Sequence, residues 1–259
     1  PQPYTIRIGP ATSTDPNYSG RDPADLAFPN ADNDTASLVA TPSTGLLTTE
    51  AGGTATFQLA LSSQPTANVV VALSSSNTAE GTVSPASVTF TTANWNLAQT
   101  VTVTGVDDLV ADGPIAYVVQ LSATSTDAGY NARTGSVSVT NQDNDVAGIT
   151  VGTPSGTSTS ESGTSVTFTI VLTSQPTANV TIPLSSSNTA EGVVSPASVT
   201  FTAATWSLPQ TITVTGVDDL VADGTQPYTI VIGPATSADP SYAGRDPADL
   251  AFTNTDNDA

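Results

Sequence analysis

The chain repeats itself, and the repeat fixes the size of the folding unit. Residues 172–224 reproduce residues 61–113 almost letter for letter at an offset of 111. Residues 1–34 match residues 225–258 at an offset of 224. The chain therefore divides into the tail of one repeat (1–34), a full repeat (35–145) and a second full repeat (146–259). A unit of roughly 110 residues is the size of an immunoglobulin-like sandwich. Within a repeat, stretches such as Thr-Val-Thr-Phe-Thr-Ile-Val-Leu alternate polar and apolar residues with period two, and no segment has a helical period. In the second repeat the alternation predicts seven strands: A near 147–152, B 164–173, C 178–184, D 198–202, E 210–216, F 227–233 and G 249–254. The expected fold is all-β: tandem antiparallel immunoglobulin-like β-sandwiches preceded by an F–G hairpin.

Composition narrows the chemistry. The chain contains no Cys, His, Met or Lys, and its four cationic residues face 23 acids, for a formal charge of −19. Without His or Cys there is no Ser-His-Asp triad, no thiol nucleophile and no soft metal site. Without Lys there is no Schiff base and no Lys–Asn isopeptide. Disulfides are ruled out, and nucleic acid is an implausible partner for so acidic a chain. No apolar run is long enough to span a bilayer, so no membrane insertion is expected. The chain begins at Pro1, with no signal peptide, and reads as a processed or excised piece. What remains is carboxylate and carbonyl oxygen, the ligand set of a hard cation such as Ca²⁺.

The acids are not scattered. In a seven-stranded sandwich the AB, CD and EF loops and the exit after G share one end. In the first full repeat Glu50 lies in AB, Glu80 in CD, Asp107, Asp108 and Asp112 in EF, and Asp143 and Asp145 at the exit. Glu161, Glu191, Asp218, Asp219, Asp223, Asp256 and Asp258 hold the same places in the second. Asp32 and Asp34 are the exit acids of the truncated repeat. The remaining acids lie in or beside FG, at the opposite end. Carboxylates gathered from four loops repel one another by about 1 kcal/mol per pair at 4 Å in water, and by more where water is excluded. Such a tip calls for a counter-ion, and seven carboxylates with loop carbonyls are enough for more than one. The Asp107–Asp108 and Asp218–Asp219 pairs suit a glycosidase on paper. Their recurrence in each repeat, with no substrate cleft in view, argues against an enzyme.

The tract TEAGGTATFQLALS (49–62), the loop GVDDLVADG (105–113) and the terminal NQDND (141–145) resemble the Calx-β domain, found in sodium/calcium exchangers, integrin β4 and very large bacterial surface proteins. The resemblance implies that Glu50, Glu80, Asp107, Asp108, Asp112, Asp143 and Asp145, with their counterparts, bind Ca²⁺. It departs from the exchanger type in its Asp-Asn-Asp exit and in an EF loop interrupted by Leu109, Val110 and Ala111, which implies fewer ions or weaker binding; Glu80 and Glu191 are the least secure ligands. The Ser- and Thr-rich, Lys-free style looks like the bacterial branch, which implies an extracellular or cell-surface setting.

Each exit motif runs straight into strand A of the next repeat (NDVAGITV, 144–151), so ions at that tip would brace the junction. The expected role is a Ca²⁺-stiffened rod in a filament or giant surface protein. Its partners would be other copies of the same repeat, in a head-to-tail polymer or array. The competing role is an adhesin-like module that recognises a glycan or protein through its FG loops, the segments that differ most between repeats. Three smaller expectations concern the other end. Trp95 and Trp206 should plug the base of the core, Arg21 and Arg245 should pair with nearby Asp, and Asp239 and Asp246 should approach Asp143 and Asp145.

Overall fold

The computed structural model describes residues 2–258. Every regular element is a strand. The first, β1 (Gln2–Ile6) and β2 (Leu26–Asn30), form a two-stranded antiparallel hairpin. The first complete unit comprises β3 (Leu38–Thr41), β4 (Leu46–Thr49), β5 (Thr54–Leu61), β6 (Val69–Ser75), β7 (Gly81–Ser84), β8 (Ser87–Phe90), β9 (Gln99–Gly105), β10 (Ile115–Ser125) and β11 (Thr134–Gln142). The second comprises β12 (Ile149–Val151), β13 (Ser158–Ser160), β14 (Ser165–Leu172), β15 (Val180–Ser186), β16 (Gly192–Ser195), β17 (Ser198–Phe201), β18 (Gln210–Gly216), β19 (Gln226–Ile232) and β20 (Leu250–Thr255).

Each unit is two sheets face to face. In the second unit the orders are β12-β14-β18-β16 and β13-β20-β19-β15-β17; the first unit repeats them as β3-β5-β9-β7 and β4-β11-β10-β6-β8. Alternation explains the stacking. Along β14, Val166, Phe168, Ile170 and Leu172 are buried, whereas Ser165 and Thr167 are exposed. Inward residues of both sheets meet in one apolar core per unit, centred on Phe57, Phe90 and Val101 in the first and Phe168, Phe201 and Ile212 in the second. Burying a residue of this size contributes about 1.5–3 kcal/mol.

Nine strands, not seven, make each unit. Strand A is split: β12 pairs antiparallel with β14, then the chain crosses over and β13 runs parallel to β20. The expected D strand is also two. β16 pairs with β18, whereas β17, two residues later, pairs with β15 in the other sheet. Pro196 and Ala197 make the corner between them. Three- and four-residue strands are too short for alternation to separate from their neighbours. Trp95 and Trp206 are half-buried against their cores, and their carbonyls accept from Leu61 and Leu172.

The FG loops are fastened to the BC loops. The Tyr242 hydroxyl donates to the Ser174 carbonyl at 2.7 Å and accepts from the Ser174 amide at 3.0 Å. Tyr130 makes the same pair of bonds to Ser63, at 2.6 and 3.0 Å. Beside it, Asp239 accepts from Thr177 N–H and Ser241 N–H, both at 2.8 Å. Asp127 matches it with Thr66 and Gly129, at 2.7 and 2.8 Å, and these two amides hold its carboxyl below its ordinary range. The two FG loops thus build one corner from divergent sequences. Both carboxylate oxygens of Asp239 are engaged inside that corner. Arg21 and Arg245, expected to pair with Asp, donate Nε–H to the carbonyls of Asn17 and Ser241.

Candidate metal centres

The loop carboxylates gather into two triads per complete unit. Glu50, Asp143 and Asp145 form one in the first unit, and Glu80, Asp108 and Asp112 the other. In the second unit the triads are Glu161, Asp256, Asp258 and Glu191, Asp219, Asp223. In each triad one oxygen per residue lies within 4.8 Å of the others, close enough for one cation to touch all three.

Backbone geometry sets these positions. Asp143 is a clamp: its Oδ1 accepts from Asp145 N–H at 2.6 Å and its Oδ2 from Gly113 N–H at 2.6 Å, tying the EF loop to the exit. Glu50 Oε2 accepts from Asn144 N–H at 3.0 Å. Asp256 and Glu161 repeat these bonds with Asp258, Gly224 and Asn257 at 2.7, 2.6 and 3.0 Å. The Asp-Asn-Asp spacing puts both Asp side chains on one side while the Asn amide reaches the AB-loop Glu. In the EF loops, Asp108 and Asp219 accept from the amides two residues on, at 2.8 and 2.7 Å.

The glutamates lie deepest. Glu50, Glu80, Glu161 and Glu191 are all buried, at 2–5% exposure. Glu80 and Glu191, singled out as the least secure ligands, each complete a triad. A side chain that sequence reasoning passed over orients them. Asn141 is buried, donates to Glu80 Oε2 at 3.3 Å and to Val106 O at 3.0 Å, and accepts from Thr48 Oγ1 at 3.0 Å. Asn254 does the same for Glu191, Val217 and Thr159. Gly105 and Gly216 allow this approach, since a Cβ on either would meet the Asn Oδ1 at 2.5 Å. The leading Asn of NQDND and NTDND was the available signal.

Four expected ligands stand apart. Asp107 and Asp218 lie outside the triads and accept from the side-chain amides of Asn144 and Asn257 at 3.1 Å. Asp32 and Asp34 are exposed, and Asp32 accepts from Asp34 N–H at 3.0 Å. No AB, CD or EF loop belonging to that repeat is among the described residues.

The electrostatics show a site short of positive charge. Burial, reinforced by Asp143 and Asp108, pushes the Glu50 carboxyl up to about 7 against the Asn144 hydrogen bond. Burial and neighbouring carboxylates likewise raise Asp112, Asp145 and Asp258. At Glu161 the Asn257 hydrogen bond lowers the value, but burial and the charges of Asp256, Asp219 and Asp258 outweigh it. Asp256 alone of its triad is lowered, by the amides of Asp258 and Gly224. Asp145 Oδ2 and Asp258 Oδ2 are buried with no hydrogen-bond partner among the described residues. An unpartnered buried carboxylate oxygen costs several kcal/mol unless something positive meets it. Three hard oxygens, one of them orphaned, fit a divalent ion that prefers carboxylate and carbonyl ligands. Glu50, Asp143 and Asp145, with their counterparts, would hold one ion per unit, and the Glu80 and Glu191 triads another.

The EF loop also touches the next unit. Leu109 O accepts from Gln175 N–H at 2.6 Å, Ala111 O from Ser241 Oγ at 3.1 Å, and Ala111 packs on the second core. These contacts lie between Asp108 and Asp112.

No family model and no curated protein matches the chain. Similar solved structures include the calcium binding domain CBD12 of CALX1.1, at 11% identity and a TM-score of 0.35 over 84% of this chain and 99% of that one. The E. coli chaperone DraB aligns at 10% identity and 0.33, over 85% of this chain and 98% of its own. Domains 4–9 of the surface layer protein SbsC align at 16% and 0.31, over 90% of this chain and 33% of theirs. All are distant, and at such scores they carry nothing about ligand or role. Among the described residues no helix is long and apolar enough to cross a membrane.

Proposed function

We propose that the chain is a segment of a Calx-β-like repeat array that binds Ca²⁺ at the loop end of each sandwich, and that the ions brace the junction to the next repeat. The observation that carries this reading is the unpartnered, buried Asp145 Oδ2 inside the Glu50–Asp143–Asp145 triad, repeated at Asp258. The ligands sit where the exit meets the next unit, since Asp145 is followed at once by Val146 and by Ala147, a member of the second core. The role is mechanical rather than catalytic. An extracellular or cell-surface filament, where millimolar Ca²⁺ is met by weak extracellular-type sites, is the setting that suits it.

Recognition of a glycan or protein through the FG loops is the weaker reading. The most distinctive FG side chains, Tyr130, Asp127, Tyr242 and Asp239, are committed to the BC loop. Calorimetric titration of metal-free protein with Ca²⁺ and with Mg²⁺ tests the proposal. The expected result is saturable Ca²⁺ binding, two ions per complete unit, with Mg²⁺ weaker. No binding heat at millimolar Ca²⁺ overturns it.

A further inference from the structure

The β1–β2 hairpin is a finished piece of a sandwich with its partner absent, and its twin in the same chain shows what the partner is. Residues 1–34 differ from 225–258 at seven positions, none among the inward-facing residues. The two hairpins share one register: Tyr4 opposes Phe28 as Tyr228 opposes Phe252. The ring centroids are 5.7 and 5.8 Å apart, with 25° between planes in both. Ile8 N–H donates to Asp25 Oδ1 at 3.0 Å, and Ile232 N–H to Asp249 Oδ1 at 2.9 Å.

Their surroundings differ. Tyr228, Ile230 and Phe252 are 0–4% exposed; Tyr4, Ile6 and Phe28 are 40–53% exposed. Tyr18, the counterpart of the corner residue Tyr242, is 64% exposed. Asn30, the counterpart of buried Asn254, is also exposed. A soluble chain rarely leaves so contiguous an apolar face uncovered, and a lone hairpin is marginal in water.

We infer that this hairpin is a docking surface for the A-to-E segment of a further repeat of the same kind, with the chemistry of residues 146–224. In the second unit that segment supplies every missing contact. β15 pairs with β19, and β13 with β20. Thr159 Oγ1 meets the Tyr228 hydroxyl at 2.9 Å, Ser174 receives Tyr242, and Gly192 leaves room for the Tyr228 ring, which a Cβ would meet at 2.5 Å. A second copy of this chain is not the occupant. The described residues hold three F–G hairpins and two A-to-E segments, so exchange between copies only passes the uncovered hairpin from one to another. One bond would be missing in the completed unit. Thr253 N–H donates to Thr157 O at 3.1 Å, and Pro29 stands in its place without an N–H. That proline also makes the open β2 edge a poor template for unrelated strands.

This inference is independent of the metal reading and is tested by amide exchange with Ca²⁺ and after chelation. A second copy of residues 146–224 is placed ahead of residue 1, so that it continues into the hairpin as it does at Gly224. In the 259-residue chain, residues 2–30 should exchange fast and 226–254 slowly. In the extended chain, protection of 2–30 should rise by about a hundredfold or more, toward that of 226–254. Phe28→Asp should abolish the gain, and slow exchange at 226–254 in the same sample shows that the remainder is folded. Residues 2–30 exchanging equally fast in both chains, with 226–254 still slow, overturns the inference. So does concentration-dependent self-association of the 259-residue chain that protects 2–30.

Discussion

The Gly113 amide donates to Asp143 Oδ2 across 2.6 Å and so closes the EF loop against the exit segment. Gly113 has φ +78°, a left-handed conformation that a glycine adopts without strain. Gly224 has φ +74° and makes the same bond to Asp256 at 2.6 Å. The bond holds Asp143 of one triad next to the loop that carries Asp108 and Asp112 of the other. The two candidate ion sites of a unit are therefore neighbours, and filling one relieves repulsion felt at the other.

Removing metal should destabilise both units. A ligand that binds only the folded state stabilises it by about 2.7 kcal/mol at a hundredfold excess over Kd. Calorimetric melting in Ca²⁺ should therefore lie several degrees above melting after chelation. Glu50→Gln with Glu161→Gln should erase most of the difference. Equal midpoints in the two conditions would count against ion binding.

The pH dependence of the metal-free protein should run opposite to ordinary acid denaturation. Glu50 titrates at about 7 in the fold, raised from an ordinary 4.5 by burial and by Asp143 and Asp108. Between those values the folded state holds a proton that the unfolded state has released, so stability falls as pH rises through the window. Asp112, Asp145 and Asp258 are raised too and act in the same direction. Asp127 and Asp256 are lowered, and their stabilisation is lost only as pH falls below the ordinary 3.8. Melting of demetallated protein from pH 4.5 to 8 should decline, and the stabilisation by added Ca²⁺ should grow over the same range. A metal-free midpoint that climbs with pH would contradict this.

Much of this was legible in the sequence because the signal was repeated. Phe168, Ile170 and Leu172 alternate with polar residues, and their sheet faces follow from period two. The ends of the sandwich followed from strand count parity, which placed Glu50, Asp108 and Asp143 at one tip. Parity survived the two extra strands because each split, at Gly152–Thr157 and at Pro196–Ala197, moves the chain between sheets without moving the loops that hold the acids. Hidden from sequence was the division of each tip into two triads, which depends on the directions of single side chains, to which a pattern of residue types is blind. Asn141 was visible as the leading residue of its exit motif, but its bonds to Glu80 and Val106 were not. Asp107 carried the same type and loop position as Asp108, and only the rotation of one residue separates them.

Asn141 and Asn254 should matter to stability as well as to metal binding. Asn141→Ala removes donors to Glu80 and Val106 and the acceptor for Thr48, all in a buried setting. Leaving such partners unsatisfied costs roughly 1–3 kcal/mol each. Denaturant unfolding should show a loss of at least that order, accompanied by weaker Ca²⁺ binding. A neutral substitution would mean that Asn141 orients nothing.

The tyrosine corners offer a comparison within one molecule. Tyr130→Phe and Tyr242→Phe each delete a hydroxyl bonded to both backbone groups of a BC-loop serine. Each should cost about 1–3 kcal/mol in urea unfolding. Tyr18→Phe, at 64% exposure, should cost nothing measurable. Equal effects at all three positions would show that the hydroxyls act through something other than the corner.

The junction between the complete units should stiffen on binding Ca²⁺. The EF loop of the first unit carries two ligand candidates, Asp108 and Asp112, and between them the carbonyls of Leu109 and Ala111 that accept from Gln175 and Ser241 of the second. Without the ion, Asp108 and Asp112 repel each other and Glu80, which favours an opened loop and weakens both inter-unit bonds. With the ion, the loop is drawn onto its own unit in the shape that meets the next. In the second unit's equivalent loop Leu220 is 90% exposed, against 50% for Leu109. Small-angle scattering should show a longer, narrower distribution of inter-unit distances in Ca²⁺ than after chelation. Asp108→Asn with Asp112→Asn should hold the chain in the broader state at any Ca²⁺ concentration, whereas Asp219→Asn with Asp223→Asn should leave the junction unchanged. Identical scattering with and without Ca²⁺, from protein shown calorimetrically to bind it, would separate ion binding from bracing and leave the ions a local role.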